Sequence, residues 1–301
     1  MRILVTDGMD KTAMAQLREM GHEVVEQFYE PDQLGAALKD FDAVVVRSKT
    51  KVRANHIDEA KTGKLKLIIR GGVGVDNIDV KYAESCGITV KNTPRASSQS
   101  VAELAMGHMF SCARYLSIAG HTMREDKWEK KAYGKGIELQ GKTLGIVGFG
   151  RIGQHLGVMA KAIGMKVVAF DIFHIPGIEE QLSIPYVEMD ELLAQSDFVS
   201  VHAPAVDGGA LISAENIAKM KDGVVIINTS RGTNVDEAAL LAALESGKVR
   251  AAGLDVYADE PATNKALYSH PMVSCTPHIG AATVEAQKRI GSEIVDIIKS
   301  F

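Results

Sequence analysis

Three polar residues in the second half of the chain stand immediately beyond apolar runs: Arg231 after VVIINTS, Glu260 after AAGLDVY and His278 after VSCTP. A guanidinium fork suits two-point recognition of a carboxylate and can polarise a carbonyl oxygen. A histidine takes and returns protons near neutral pH, and an acid that accepts its other ring hydrogen stabilises the charged form. Beside a hydride carrier, such a set can interconvert a hydroxyl and a carbonyl next to a carboxylate. Each residue alone has a plainer reading: Arg231 as a surface salt-bridge partner, Glu260 as a solvated loop acid, His278 as a capping or core histidine. Spacing alone does not choose between the two.

A site for the hydride carrier is written earlier in the chain. Gly148-Phe149-Gly150-Arg151-Ile152-Gly153 follows the apolar run TLGIV and opens a stretch in which Ile152, Leu156, Met159 and Ile163 recur at helical spacing. The first glycine of such a fingerprint permits a tight turn, the second lets backbone approach a pyrophosphate, and the third lets helix and strand pack closely. The helix N-terminus then faces the phosphates. An isolated GxGxxG also occurs in turns without a ligand; the strand before and the helix after make this one a dinucleotide fingerprint. Asp171 ends the next apolar run, KVVAFD, 18 residues after Gly153 (171 − 153), where a carboxylate accepts hydrogen bonds from adenosine ribose hydroxyls. The carboxylate repels a 2′-phosphate, and Ile172, Phe173 and His174 supply no arginine to receive one. The cofactor expected is NAD rather than NADP.

The elements that must position these groups alternate from the first residue. RILVT, HEVVE, DAVVVRS, LKLIIRGG and ITVKN read as about five buried strands, with helices near residues 11–20 and 31–38 and in KYAES. A long helix over 98–120 follows, then a lysine- and glycine-rich surface loop over 125–141 that holds the only tryptophan, Trp128. TLGIV, KVVAFD, FVSVHAP, VVIINTS, AAGLDVY and VSCTPH form a second series of six parallel strands, the count of a Rossmann sheet. A last helix over about 283–299 has no strand after it and is expected to return to the first lobe. The fold class is α/β, with two doubly wound parallel-sheet lobes.

Composition sets the bounds. At 301 residues, 46% hydrophobic and 24% charged, the chain is an ordinary globular protein with room for two cores. A formal net charge of -4 gives no basic field for a phosphate backbone, so nucleic acid is not an expected partner. Cys86, Cys112 and Cys275 are far apart and without CxxC spacing; they read as small core residues, and neither a disulfide framework nor a metal is expected. The opening MRILVTDG lacks the apolar core of a secretory signal, so the expected compartment is the cytoplasm. Glu103, His108 and Arg114 interrupt the 98–120 stretch, which fails the test of about 18 unbroken apolar residues for a membrane span.

Taken together, VGFGRIG, INTSRGTNVDEAAL, LDVYADEP and TPHIGAATVEAQ resemble the D-isomer-specific 2-hydroxyacid dehydrogenase family over nearly the whole chain. The resemblance implies a flavodoxin-like substrate (catalytic) domain from residues 1–97 with 283–301 and an NAD-binding Rossmann domain from 98–282. It implies that Arg231 anchors the substrate carboxylate and keto oxygen, that His278 is the general acid/base, and that Glu260 pairs with it. It also assigns Asp255 to the nicotinamide carboxamide, and to the cofactor the backbone around His202 and Pro204 in VHAP, together with Thr229 in INTSRG. After VHAP, Val206-Asp207-Gly208-Gly209 departs from the family's threonine-containing pattern.

Within the family, VVVRSKTKV, IIRGGVGVDNID and HIGAATVEAQ resemble the D-3-phosphoglycerate dehydrogenase branch. The implied partner is a phosphorylated 2-hydroxy acid, gripped by Arg47, Ser48 and Lys49 with Arg70. Gly72-Val73-Gly74 resembles the loop whose amides at Val73 and Gly74 meet the substrate carboxylate. Lys49 and Lys51 taken singly read equally well as a solvated face. Two other members of the family stay open, a glyoxylate or hydroxypyruvate reductase and another D-2-hydroxyacid dehydrogenase; an NADH-sensing binding protein is the non-enzymatic alternative. No serine-sensing segment is expected after residue 301. The 98–120 helix resembles the family's dimerisation helix, so a homodimer through it is expected.

Overall fold

The computed structural model describes residues 1–206 and 208–301; Asp207, part of the departure after VHAP, lies outside the described residues. The chain divides into two compact units, Met1–Ser97 with Ala281–Phe301, and Ser98–Gly280.

The first unit runs β1 (Arg2–Val5), α1 (Lys11–Glu19), β2 (Glu23–Glu26), α2 (Pro31–Leu38), β3 (Ala43–Val46), α3 (Ala54–Ala60), β4 (Leu67–Arg70), α4 (Val80–Ser85) and β5 (Thr89–Asn92). Its sheet is wholly parallel in the order β2-β1-β3-β4-β5, a flavodoxin-like order that reverses direction between β1 and β3. β3 is buried at every position, as a strand covered by helices on both faces must be. Asp10 caps α1, its carboxylate accepting the Ala13 N–H at 3.0 Å.

The second unit contains α5 (Ser98–Arg114), α6 (Leu116–Arg124), β6 (Thr143–Val147), α7 (Arg151–Ala162), β7 (Lys166–Phe170), α8 (Ile178–Leu182), α9 (Met189–Gln195) and β8 (Phe198–Val201). It continues with α10 (Ala214–Lys219), β9 (Val224–Asn228), α11 (Glu237–Ser246), β10 (Val249–Leu254), α12 (Lys265–Tyr268) and β11 (Val273–Cys275). The six strands lie in the parallel order β11-β10-β9-β8-β6-β7. A seventh position is reduced to one parallel bridge, Ala169 with Tyr186, beyond β7. Counting that bridge as the third strand restores the Rossmann order on that side of the sheet, with the switch point between β6 and β8.

The chain ends in α13 (Val284–Ser300), capped by Thr283, whose hydroxyl accepts the Ala286 N–H at 3.0 Å. Ile290, Ile294, Val295 and Ile298 on one face of α13 join the core of the first unit with Ile3, Val5 and Leu17. Each such burial is worth roughly 1.5–3 kcal/mol.

Two expectations are corrected. The 98–120 segment is two helices, because Tyr115 turns left-handed at φ 59. Its hydroxyl accepts from Arg250 Nη2 at 2.8 Å. Of the three cysteines only Cys112 is buried; Cys86 is half-buried, and Cys275 is exposed at the end of edge strand β11. Among the described residues no helix is long and apolar enough to cross a membrane, and no group of three His, Cys, Asp or Glu side chains is placed to hold a metal.

Candidate active site

The glycine turn sits where β6 ends, at the switch point. Gly148 has φ +93, and a Cβ there would fall 2.5 Å from the Ala203 nitrogen, so the turn presses directly onto the end of β8. A Cβ at Gly153 would meet the Gly148 oxygen at 2.4 Å, which is the close helix-to-turn packing the third glycine allows. Gly150 has nothing within 4 Å of its Cβ position, and no side chain caps the helix α7 that it starts. Arg151 is exposed and Ile152 half-buried at the head of that helix. An open helix N-terminus with a bare glycine before it is a cradle for a pyrophosphate.

Asp171 follows β7 directly. Its Oδ2 accepts the Phe149 N–H at 2.7 Å and its Oδ1 the Phe173 N–H at 3.0 Å. A carboxylate has about four lone-pair positions, so acceptor capacity is left for a ribose diol. Beyond it Ile172 and Phe173 are 96% and 68% exposed, an apolar ledge beside an acid.

The VHAP segment lies after β8. Burial pushes the His202 imidazole down to about 3, so the ring is neutral; its Nε2 lies 2.8 Å from Ser200 Oγ. His202 Nδ1 and Thr229 Oγ1 are buried polar atoms with no hydrogen-bond partner among the described residues. Buried orphans of this kind call for a bound group. Asn234, which the sequence reading did not single out, donates from Nδ2 to the carbonyls of Ala203 at 2.9 Å and Pro204 at 3.2 Å. The open turn, the acid and the orphaned polar atoms fit NAD.

The chemical residues are brought together at the ends of β9, β10 and β11. His278 Nδ1 lies 2.7 Å from Glu260 Oε2. Because a carboxylate only accepts, Nδ1 carries the hydrogen and Nε2 keeps its lone pair, able to accept a proton. Burial pushes the Glu260 carboxyl up, but the His278 ring, the Tyr257 N–H and the Arg231 cation together hold it below the usual glutamate range. Arg231 follows β9 in extended conformation, and its carbonyl accepts from Asn228 Nδ2 at 2.8 Å. The next residue, Gly232, packs so tightly that a Cβ would fall 1.9 Å from the Tyr257 carbonyl. That contact sets Arg231 against the segment carrying Glu260.

Asp255, at the end of β10, is 1% exposed. Its Oδ1 accepts the Thr276 hydroxyl at 2.6 Å and the Ile279 N–H at 2.8 Å, and its Oδ2 the Gly280 N–H at 2.8 Å. These bonds hold the loop in which His278 adopts a left-handed φ of 54, a backbone rare outside glycine.

In the first unit, the candidate substrate residues stand at the ends of β3 and β4. Arg47 is half-buried, and Ser48 and Lys49 are exposed. Asp7, just beyond β1 and also missed in the sequence reading, takes the Arg47 N–H at 2.7 Å, the Thr50 N–H at 3.0 Å and the Thr50 hydroxyl at 2.6 Å. Asn77 Nδ2 donates to the carbonyls of Arg47 and Thr50, both at 2.7 Å. The loop is thereby clamped from both sides. The Lys49 ammonium stands 3.7 Å from the Phe28 ring centroid. Arg70 donates from Nη1 to the Gly71 carbonyl at 3.2 Å, and Gly72, at φ +149, has no room for a Cβ because that guanidinium lies against it. Val73 is exposed and Gly74 half-buried at the tip of the glycine loop.

Residues 106–280 match the family model described as "D-isomer specific 2-hydroxyacid dehydrogenase, NAD binding domain". The chain is similar to a hydroxypyruvate reductase of Thermotoga maritima, 49% identical, covering 99% of this chain and 97% of that one. It is 43% identical to a D-3-phosphoglycerate dehydrogenase of Methanocaldococcus jannaschii over 99% of this chain, but it spans only 57% of that relative. Among solved structures it is similar to a D-lactate dehydrogenase of Aquifex aeolicus complexed with NAD and lactic acid, with a TM-score of 0.86 at 30% identity, covering 99% of this chain and 95% of that one.

Proposed function

The chain belongs to the D-isomer specific 2-hydroxyacid dehydrogenase family, and on that premise we propose that this NAD-dependent oxidoreductase oxidises D-3-phosphoglycerate to 3-phosphohydroxypyruvate. The observation that carries the chemical part of the reading is the 2.7 Å pair of His278 Nδ1 and Glu260 Oε2, which leaves Nε2 as the base. His278 takes the C2 hydroxyl proton in oxidation and returns it in reduction. Glu260 holds the charged ring, and Arg231 grips the substrate carboxylate and polarises the forming carbonyl. NAD, when bound, accepts the hydride from C2. Gly148, Gly150, Arg151, Ile152 and Gly153 hold its pyrophosphate, Asp171 its ribose, and His202, Pro204, Thr229 and Asp255 its nicotinamide half.

The phosphorylated substrate is supported by the clamped loop carrying Arg47, Ser48 and Lys49, with Arg70 at the end of the adjacent strand; the glycine-loop amides at Val73 and Gly74 suit its carboxylate. A second reading, reduction of hydroxypyruvate, is favoured by the 49% identity to the Thermotoga enzyme over almost the full length of both chains. NADH oxidation with 3-phosphohydroxypyruvate and hydroxypyruvate side by side separates them. A higher kcat/KM for the phosphorylated acid upholds the first reading, and a higher value for hydroxypyruvate replaces it with the second. A homodimer through α5 and α6 belongs to the same proposal: Leu116, Met123 and Trp128 are 58%, 53% and 77% exposed on one stretch, as a partner-facing surface would be. Light scattering that gives a monomer mass removes it.

A further inference from the structure

One buried histidine in the second unit, His108, has no place in that reading. His108 lies on α5 and is 3% exposed. Both of its ring nitrogens are engaged: Nδ1 is 3.0 Å from Ser274 Oγ and Nε2 is 3.1 Å from Thr276 Oγ1. The strand beneath is bare for it, since a Cβ at Gly253 would fall 2.5 Å from the His108 Cβ.

The direction of this hydrogen-bonded chain follows from its far end. Asp255 Oδ1, 2.6 Å from Thr276 Oγ1, can only accept, so the Thr276 hydroxyl points its hydrogen there. Thr276 is then left able only to accept from His108. The His108 proton therefore sits on Nε2, and Nδ1 accepts from the Ser274 hydroxyl. Burial lowers the pKa of this ring, against the pull of the Asp255 charge, in keeping with a neutral ring of one tautomer. Asp255 in turn holds the Ile279 and Gly280 amides, and its backbone carbonyl accepts the His278 N–H at 2.8 Å.

We propose that His108 is a positioning residue for the chemical step: through Thr276 and Asp255 it fixes the loop that sets the His278 imidazole against Glu260. The proposal rests on the reading of His278 as the acid/base. A histidine that merely satisfies a polar spot in the core would leave turnover unchanged on replacement. A positioning role would not, because small displacements of a catalytic group are costly.

His108→Leu is expected to lower kcat about 10- to 100-fold while KM and NAD affinity move by less than about threefold. His108→Gln, whose side-chain amide can donate to Thr276 Oγ1, is expected to recover most of the loss. Thr276→Val is expected to match His108→Leu, and the double variant to be no worse than either single, as members of one chain are not additive. Ring-nitrogen NMR of the intact protein should show the Nε2–H tautomer at His108. Unchanged kcat in folded His108→Leu, additive losses in the double variant, or the Nδ1–H tautomer would each overturn the proposal. If His108→Leu does not fold, Thr276→Val and the tautomer decide it. Normal turnover in His278→Ala would instead remove the acid/base reading, leaving the tautomer result standing, so the two failures are distinguishable.

Discussion

Asp171 and Phe149 are joined by a 2.7 Å hydrogen bond from the Phe149 amide to the carboxylate, so the acid that ends β7 also fixes the second residue of the glycine turn after β6. One side chain thus orders the glycine turn and, on the proposed function, offers its remaining lone pairs to the ribose. Asp171→Ala is expected to weaken NAD binding about 10-fold or more and to narrow the preference for NAD over NADP, as loss of a charged hydrogen bond predicts. Fluorescence titration with both cofactors checks this; unchanged affinity would leave Asp171 as a purely internal brace.

His278→Ala should lose about 10²- to 10⁴-fold in kcat with NAD affinity intact, since proton transfer goes and the glycine turn is untouched. Stopped-flow turnover together with a cofactor titration reads both quantities. Undiminished turnover would exclude His278 from the mechanism.

Arg231→Lys keeps the charge and loses the fork. The expected fall in kcat/KM is about 10- to 100-fold, the worth of a charged hydrogen bond. A mild effect would argue against two-point carboxylate binding.

Asp7→Ala releases one side of the clamp on the Arg47 loop and leaves the Arg47 and Thr50 amides to water. KM for the acid substrate should rise about 10-fold while kcat stays within about threefold, the pattern of lost uniform binding. Asn77→Ala should behave alike. A fall in kcat at constant KM in both variants would contradict a purely substrate-holding loop.

His202 gives stability a pH dependence. Unfolded, the ring protonates near its ordinary 6.5; folded, not until about 3, so the unfolded chain binds the proton first as pH falls. The contribution of the neutral ring is complete above the unfolded value and is lost below it at about 1.4 kcal/mol per pH unit. Between about pH 7 and about pH 5, urea unfolding of His202→Gln should show a fall smaller than that of the parent protein by about 1 to 2 kcal/mol. Parallel falls in the two proteins would refute this assignment.

Much of this architecture is legible in the sequence because parallel strands buried on both faces leave unbroken apolar runs such as AVVV and VVIIN. The glycine fingerprint and the strand-end positions of Arg231 and His278 are legible for the same reason: they punctuate those runs. Tyr115 is not, since a helix broken by one left-handed non-glycine residue keeps its apolar periodicity on both sides. The Tyr186 bridge escapes because a one-residue strand has no pattern. Asp7, Asn77, His108 and Asn234 act through hydrogen bonds to backbone or to side chains distant in sequence, and only folding reveals those partners. A strand-end aspartate in VTDG, at what proves to be a switch point, is the one signal that pointed towards Asp7.

The contact of Gly232 with the Tyr257 peptide bears on how this scaffold can be remodelled. No other amino acid fits after Arg231 unless the backbone bearing Glu260 moves, so a saturation library at position 232 should return glycine alone among active clones. Directed evolution of substrate range therefore has a fixed point beside Arg231, the arginine proposed to hold the substrate carboxylate. Variation is better invested at Ser48, Lys49 and Val73, whose side chains lie open to solvent.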